Sequence, residues 1–398
     1  MTLSTSQVDL LIRQLDGFQI ELPSWGFANT GTRFGKFVQP GAASTLEEKL
    51  ADAAEVHRVT GCCPTLAVHV LWDFPNGVKD VPAVQKAARD AGIGIGAINP
   101  NVFQDQIYKH GSLGSPEAPA RQAAVDHLIE SVEIGKRTMS RDVSLWFADG
   151  SSYPGSSNIR HRRQWFIDGL KAMHAAMSPS QRILVEYKPF EPAFYHTDIA
   201  DWGMALLLAR HAGSQAKVLV DTGHHYQAQN IEQIVAWLLA EDMLGGFHFN
   251  DRRYADDDLT FGSIDPYQVF RIFHEIHQFA FDTGRQPDIA YMVDQSHNLK
   301  PKIEEMIQTA LAAQELFAKA ALVDHATLAL HQADCSLVDA EECLKAAFYT
   351  DVRPLLIEWR QSHGLPADPL AAFRESGYMQ RISKERAQRN AASVSSYA

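Results

Sequence analysis

Between Val185 and His297, four short apolar runs each end in side chains able to bind a divalent cation. Val185-Glu186-Tyr187-Lys188 closes the first run and Val218 to His224, through Asp221, the second. Gly246-Phe247-His248-Phe249-Asn250-Asp251 closes the third, followed by Asp256-Asp257-Asp258, and Ile289 to His297, through Asp294, is the fourth. The steps from Glu186 to Asp221, His248 and Asp294 are 35, 27 and 46 residues, so no single helix or hairpin gathers these groups. If each run is a parallel strand returned by a helix, all the polar tips emerge at one end of one sheet, where α/β folds carry their active sites.

The same rhythm extends back through the chain. Strands are predicted at about 18–22, 66–70, 93–98, 143–148, 183–187, 218–221, 246–250 and 289–294, with helical patterns between them and another after the last. Eight such units form a (β/α)8 TIM barrel. An open doubly wound sheet is the rival; it exposes only a few strand tips at its switch point, whereas candidate site residues here come from nearly every strand. In Ile93-Gly94-Ile95-Gly96-Ala97-Ile98, small residues alternate with isoleucine, the pattern of a strand crowded on one face. The division that follows is a catalytic barrel over 1–302 and a helical C-terminal arm and tail over 303–398, the arm packing on a partner subunit. A long loop from Gly26 to Gly41 carries Phe34 and Phe37, which suit a pocket cover or an interface.

Charge narrows the partners. With 36 basic and 48 acidic residues the net charge is -12, and no basic run offsets it, which argues against nucleic acid and anionic membranes. The apolar stretch 310–330 is interrupted by charged residues, and the first residues lack an export-signal pattern. Cysteines at 62, 63, 335 and 343 fit no zinc knuckle or disulfide framework, so reduced thiols and a cytoplasmic location are expected.

Carboxylates placed directly after apolar triplets lie near buried surface and need compensation. Metal 1 is therefore assigned Glu186, Asp221, His248 and Asp294. Metal 2 is assigned Asp221, His224, Asp256 and Asp258, with Asp221 bridging through its two oxygens. If the 256–258 loop is extended, Asp256 and Asp258 point inward and Asp257 outward. An oxygen-rich set with imidazoles favours Mn2+, with Mg2+ or Co2+ as alternatives, over structural zinc. Lys188 shares the face of Glu186 and can bind a substrate oxygen. His69, Trp72, Asn99 and Trp146 end earlier strands on the opposite side; indole faces cover the C–H surfaces of sugars, and His69 can move protons during ring opening. A carbohydrate-binding protein without activity would keep the aromatics but has little need of so many metal ligands.

Glu-Tyr-Lys-Pro at 186–189, Asp-Thr-Gly-His-His at 221–225, His-Phe-Asn-Asp at 248–251 and Asp-Asp-Asp at 256–258 resemble the L-rhamnose isomerase family, within the xylose-isomerase-like sugar isomerases. The resemblance covers most of residues 15–330. It implies interconversion of an aldose and a ketose, L-rhamnose and L-rhamnulose, by an enzyme using two divalent metals, usually including manganese. It implies the metal ligands given above, Lys188 on substrate and His69 in ring opening; Asp294 is counted with these two as catalytic. It also implies a homotetramer acting on a monosaccharide. A related isomerase or ketose epimerase with another substrate is the alternative.

Overall fold

The computed structural model describes residues 5–29, 37–190, 194–254, 256–296 and 299–392; Phe34 and His297 lie outside them. Its eight-stranded parallel sheet comprises β1 (Leu22–Pro23), β2 (Thr65–His69), β3 (Gly94–Asn99), β4 (Asp142–Leu145), β5 (Arg182–Glu186), β6 (Ala216–Asp221), β7 (Leu244–Phe249) and β8 (Ala290–Val293), hydrogen-bonded in that order. A parallel bridge between Glu21 and Met292 joins the last strand to the first, and the sheet closes as a TIM barrel.

The first strand is shorter and later than its alternating sequence predicts. Phe18 and Ile20 are buried below the ladder, and Phe18 stacks on Phe317 with ring centroids 4.1 Å apart. Their alternation serves this packing beneath the barrel. The fourth strand stops at Leu145, because the chain then turns to bury Asp149 under Ser112 and Gly114 of the preceding loop. A short antiparallel pair, Gly150–Ser151 with His196–Thr197, was not expected from the sequence.

Leu46–Thr60 shows why the crossover helices begin and end where they do. Thr45 and Glu48 form a reciprocal capping box at its start, and Gly61 closes it in the left-handed region at φ 73°. Lys302–Ala320 packs against both Pro266–Thr283 and Leu46–Thr60, taking the eighth place in the ring. By packing it belongs with the barrel, although its Ala-rich sequence reads as the start of an arm. Its small residues Ala310, Ala313 and Ala320 are buried, which permits close approach to its neighbours. Beyond it, Leu355, Leu356 and Trp359 pack on Leu11 and Leu15, and Arg386 reaches back to Asp52 at 2.8 Å. Among the described residues, no helix is long and apolar enough to cross a membrane.

The barrel interior is layered. Ala67, Ala97, Leu184, Leu219, Met292 and Trp25 fill one apolar layer. Beneath it, Glu21 accepts from Ala97 N and Thr65 Oγ1 at 2.8 and 2.9 Å. Burial pushes its carboxyl up to about 7. This carboxylate is what crowds the third strand: a Cβ on Gly96 would lie 1.6 Å from Glu21 Oε2. The opposite, C-terminal end of the barrel holds the candidate site.

Candidate metal centre

Glu186 ends β5, Asp221 ends β6, His248 lies in β7 and Asp294 follows β8. His248 Nδ1 is 3.2 Å from Glu186 Oε2 and 3.9 Å from Asp294 Oδ2. One ligand atom from each of Glu186, Asp221, His248 and Asp294 can be chosen so that all lie within 4.8 Å of one another. Asp221, His224 and Asp256 form a second group by the same measure, so Asp221 belongs to both. His224 Nε2 stands 3.9 Å from Asp221 Oδ2 and 3.5 Å from Asp256 Oδ2. Its Nδ1 donates to the Tyr187 carbonyl at 3.0 Å, which leaves Nε2 as the lone-pair nitrogen.

The two oxygens of Asp221 differ. Oδ1 accepts from Gly223 N at 2.6 Å and Asn250 Nδ2 at 2.9 Å, whereas buried Oδ2 has no hydrogen-bond partner. The uncommitted oxygen between the two groups is therefore Oδ2. Glu186 Oε1, both ring nitrogens of His248 and Asp256 Oδ1 likewise lack hydrogen-bond partners. Buried polar atoms are seldom left so, and this donor set of carboxylate oxygens and imidazole nitrogens fits a divalent cation. Burial pushes Asp221 up to about 7, with Glu186, Asp256 and Asp294 adding to the rise. Burial opposes protonation of His248, yet Glu186 and the other carboxylates carry it up to about 9.

Asp258 stands beside the second group, not within it. It is in the left-handed region at φ 48°, which breaks the alternation that an extended loop would impose. Its carboxyl accepts from Ser296 Oγ at 3.0 Å; burial, with Asp256 next, holds it well above the usual carboxylate range. Asp257 does face away, accepting from Arg253 N and Tyr254 N at 2.6 and 2.9 Å. Lys188 Nζ lies 2.9 Å from Asp256 Oδ2 and 5.1 Å from the Trp146 ring centroid, between the acidic and aromatic sides.

On the aromatic side His69 stacks on Trp72 with centroids 3.9 Å apart. Phe103 meets His69 and Trp146 edge-on at 5.8 and 4.8 Å. Burial lowers His69 to about 3, so its ring is neutral, and Nδ1 has no hydrogen-bond partner. Asp73 instead accepts from the His69 backbone N at 2.8 Å. Asn99 Nδ2 is committed to the Val68 carbonyl at 3.1 Å, and the buried Trp146 Nε1 has no acceptor.

Residues 64–283 match the model of the xylose isomerase-like TIM barrel family. The chain belongs to that family. A probable sugar isomerase of Rhizobium meliloti is 39% identical over 384 residues, spanning 95% of this chain and 89% of the relative. A second, from Mesorhizobium japonicum, is 38% identical over 95% of this chain and 88% of its own. Among solved structures, a xylose isomerase domain protein from Alicyclobacillus acidocaldarius superposes with a TM-score of 0.52 at 14% identity, covering 76% of this chain and 99% of its own, and supports the fold.

Within this xylose isomerase-like barrel, three neighbours of the site were not singled out from the sequence. Trp25 donates its indole N–H to Asp294 Oδ1 at 2.7 Å, Asn250 holds Asp221, and Phe103 joins the aromatic wall. Asn250 had a usable signal, its place two residues beyond His248 on the same face. Trp25 had none, since its partner is 269 positions away.

Proposed function

We propose that the protein is a metal-dependent sugar isomerase that interconverts an aldose and its ketose, with L-rhamnose and L-rhamnulose as the first pair to test. The carrying observation is the pair of adjoining ligand groups that share Asp221 and hold buried oxygens and nitrogens without hydrogen-bond partners. Glu186, Asp221, His248 and Asp294 would hold one cation, and Asp221, His224 and Asp256 the other. Asp258 supports the second set from beside it. Two divalent ions, Mn2+ first and Mg2+ or Co2+ as alternatives, would supply Lewis-acid polarisation of neighbouring sugar oxygens.

The protein's own groups do the rest. Neutral His69 accepts and returns a ring-opening proton. Trp72 and Trp146 cover C–H surface, and the Trp146 N–H, which has no acceptor, would donate to a sugar hydroxyl. Lys188 donates to the carbonyl-side oxygen as charge develops there. In the direct-shift route the C2–H bond breaks and a C1–H bond forms with its electron pair, while O2 loses a proton and O1 gains one. Turnover of C2-deuterated L-rhamnose by the manganese-loaded protein in ordinary water tests both levels. Formation of L-rhamnulose with deuterium retained is expected. Loss of most deuterium to solvent would replace the direct shift by an enediol route, and no carbonyl migration would refute the isomerase reading.

A ketose epimerase is the second reading. It is favoured by one observation: Glu186 and Asp294 stand as paired carboxylates beside His248 within a single ligand group. It would invert a carbinol carbon and leave the carbonyl at its original position. We further propose a homotetramer, supported by exposed Leu330, Leu337 and Val338 on the C-terminal helices and by exposed Phe37. A solution mass near one chain would exclude it.

A further inference from the structure

Trp25 lies two residues past the end of the shortest barrel strand, and Asp294 lies one residue past β8 across the closing bridge. The indole N–H engages Asp294 Oδ1 at 2.7 Å, whereas Oδ2 faces His248 Nδ1 at 3.9 Å. A carboxylate left to itself can chelate one cation with both oxygens. Here one of them is occupied by a donor that is itself fixed. The indole packs in the apolar layer with Ala67, Ala97, Leu184, Leu219 and Met292, and meets His69 edge-on at 6.1 Å. The backbone behind it cannot retreat, because a Cβ on Gly26 would come within 2.5 Å of Met306 Cε and 2.8 Å of the Gln295 carbonyl.

We infer that Trp25 is a positioning residue that holds Asp294 to a single metal-facing oxygen and so keeps coordination positions open for the sugar. The inference rests on the two-metal isomerase reading. With one oxygen from Asp294 and one atom each from Glu186, Asp221 and His248, the first group would offer four ligand atoms. Such a set would leave places on a manganese- or magnesium-like ion for adjacent substrate oxygens. Without the indole donor, Asp294 is free to rotate and either releases the cation or chelates it. Both outcomes change metal binding, and chelation also removes a place for substrate.

The test is Mn2+ titration by calorimetry on the full chain, in native protein and in Trp25→Phe. Each is also measured in an Asp256→Asn background, which weakens the second group and isolates the first. Loss of a hydrogen bond to a metal ligand typically changes affinity by about 10–100-fold. We expect a change of that size at the first site, with the second moving less than about threefold on the same grounds. Counting coordinated waters on the first-site Mn2+ by proton relaxation separates release from chelation. Trp237→Phe, on an outer helix, should leave both affinities as they are. Should Trp25→Phe fail to fold, benzothienylalanine at position 25 keeps the indole shape and replaces only the N–H.

An unchanged first-site affinity and an unchanged water count in a folded variant would overturn the positioning role while leaving the isomerase reading intact. Native protein that takes up no Mn2+ would instead refute the two-metal reading itself, and this inference with it. A loss of affinity equal at both sites would mark Trp25 as a general structural residue and would also overturn the proposal.

Discussion

At the ends of β5 to β8 the barrel buries carboxylates and imidazoles whose lone pairs converge, and several have no protein donor. At the ends of β2 to β4 it gathers exposed and half-buried rings around one buried histidine kept neutral. The first half is an electrostatic cost that a cation would offset; the second is ring packing that needs no ion. The two halves should therefore answer to different perturbations, the acidic side to charge and metal, the aromatic side to ring shape and acid.

The largest effect should come from Asp221→Asn, since Asp221 belongs to both ligand groups. Loss of both ions and a fall in turnover of at least about a thousandfold, roughly 4 kcal/mol of transition-state stabilisation, are expected. Metal analysis and sugar turnover on the folded variant check this; full occupancy of both sites would refute the shared-ligand assignment.

Metal supply comes next. Chelation should leave the aromatic side unchanged while lowering unfolding stability, and Mn2+ at about a hundred times its Kd should restore roughly 2.7 kcal/mol per site. Urea unfolding with and without Mn2+ measures it, and a curve that ignores the ion would count against a cation in the acidic half.

On the aromatic side, His69 gives a pH signature. Burial holds it near 3 in the fold, against 6.5 in an unfolded chain, so unfolding takes up a proton below about pH 6.5. Its contribution is present above pH 6.5 and is lost as pH falls toward 3. Between pH 7 and 5.5 the native protein should lose about 1 kcal/mol more stability than His69→Gln, both kept in chelator. Equal losses would show that the ring is protonated in the fold.

The smallest effect is the matched control. Asp257→Asn removes a charge from the same acidic loop, but its carboxylate faces backbone N–H groups outside the cluster. Metal content should be unchanged and turnover should stay within about threefold, the range of a change of well under 1 kcal/mol. A loss matching that of Asp221→Asn would erase the distinction between the two aspartates.

Much of this was legible because it repeats. Glu186, Asp221, His248 and Asp294 each follow apolar residues that can only be strand, so a parallel barrel brings them together without further information. Asp258 shows the limit of parity, which assumes extended backbone: one left-handed residue breaks the alternation, and its carboxyl is buried beside Asp256. Phe18 and Ile20 alternate as a strand does because alternation signals burial on one face, whatever surface provides it. Trp25 stayed hidden for a third reason: its role lies in a contact across the closure of the barrel, and no local pattern encodes a partner so distant.

That closure has a kinetic consequence. The first strand has two residues, and the seam with β8 rests on Glu21 N to the Tyr291 carbonyl at 2.8 Å and Val293 N to the Glu21 carbonyl at 2.9 Å. Local opening favours the segment with the fewest protected amides, so deuterium should enter first at Glu21 and Val293 and last in β5 and β6. Because the Trp25–Asp294 contact spans the same seam, cation loading should slow exchange there more than elsewhere. The ring would then breathe at the joint where its two chain-distant ends meet, with the bound ion acting as a clasp.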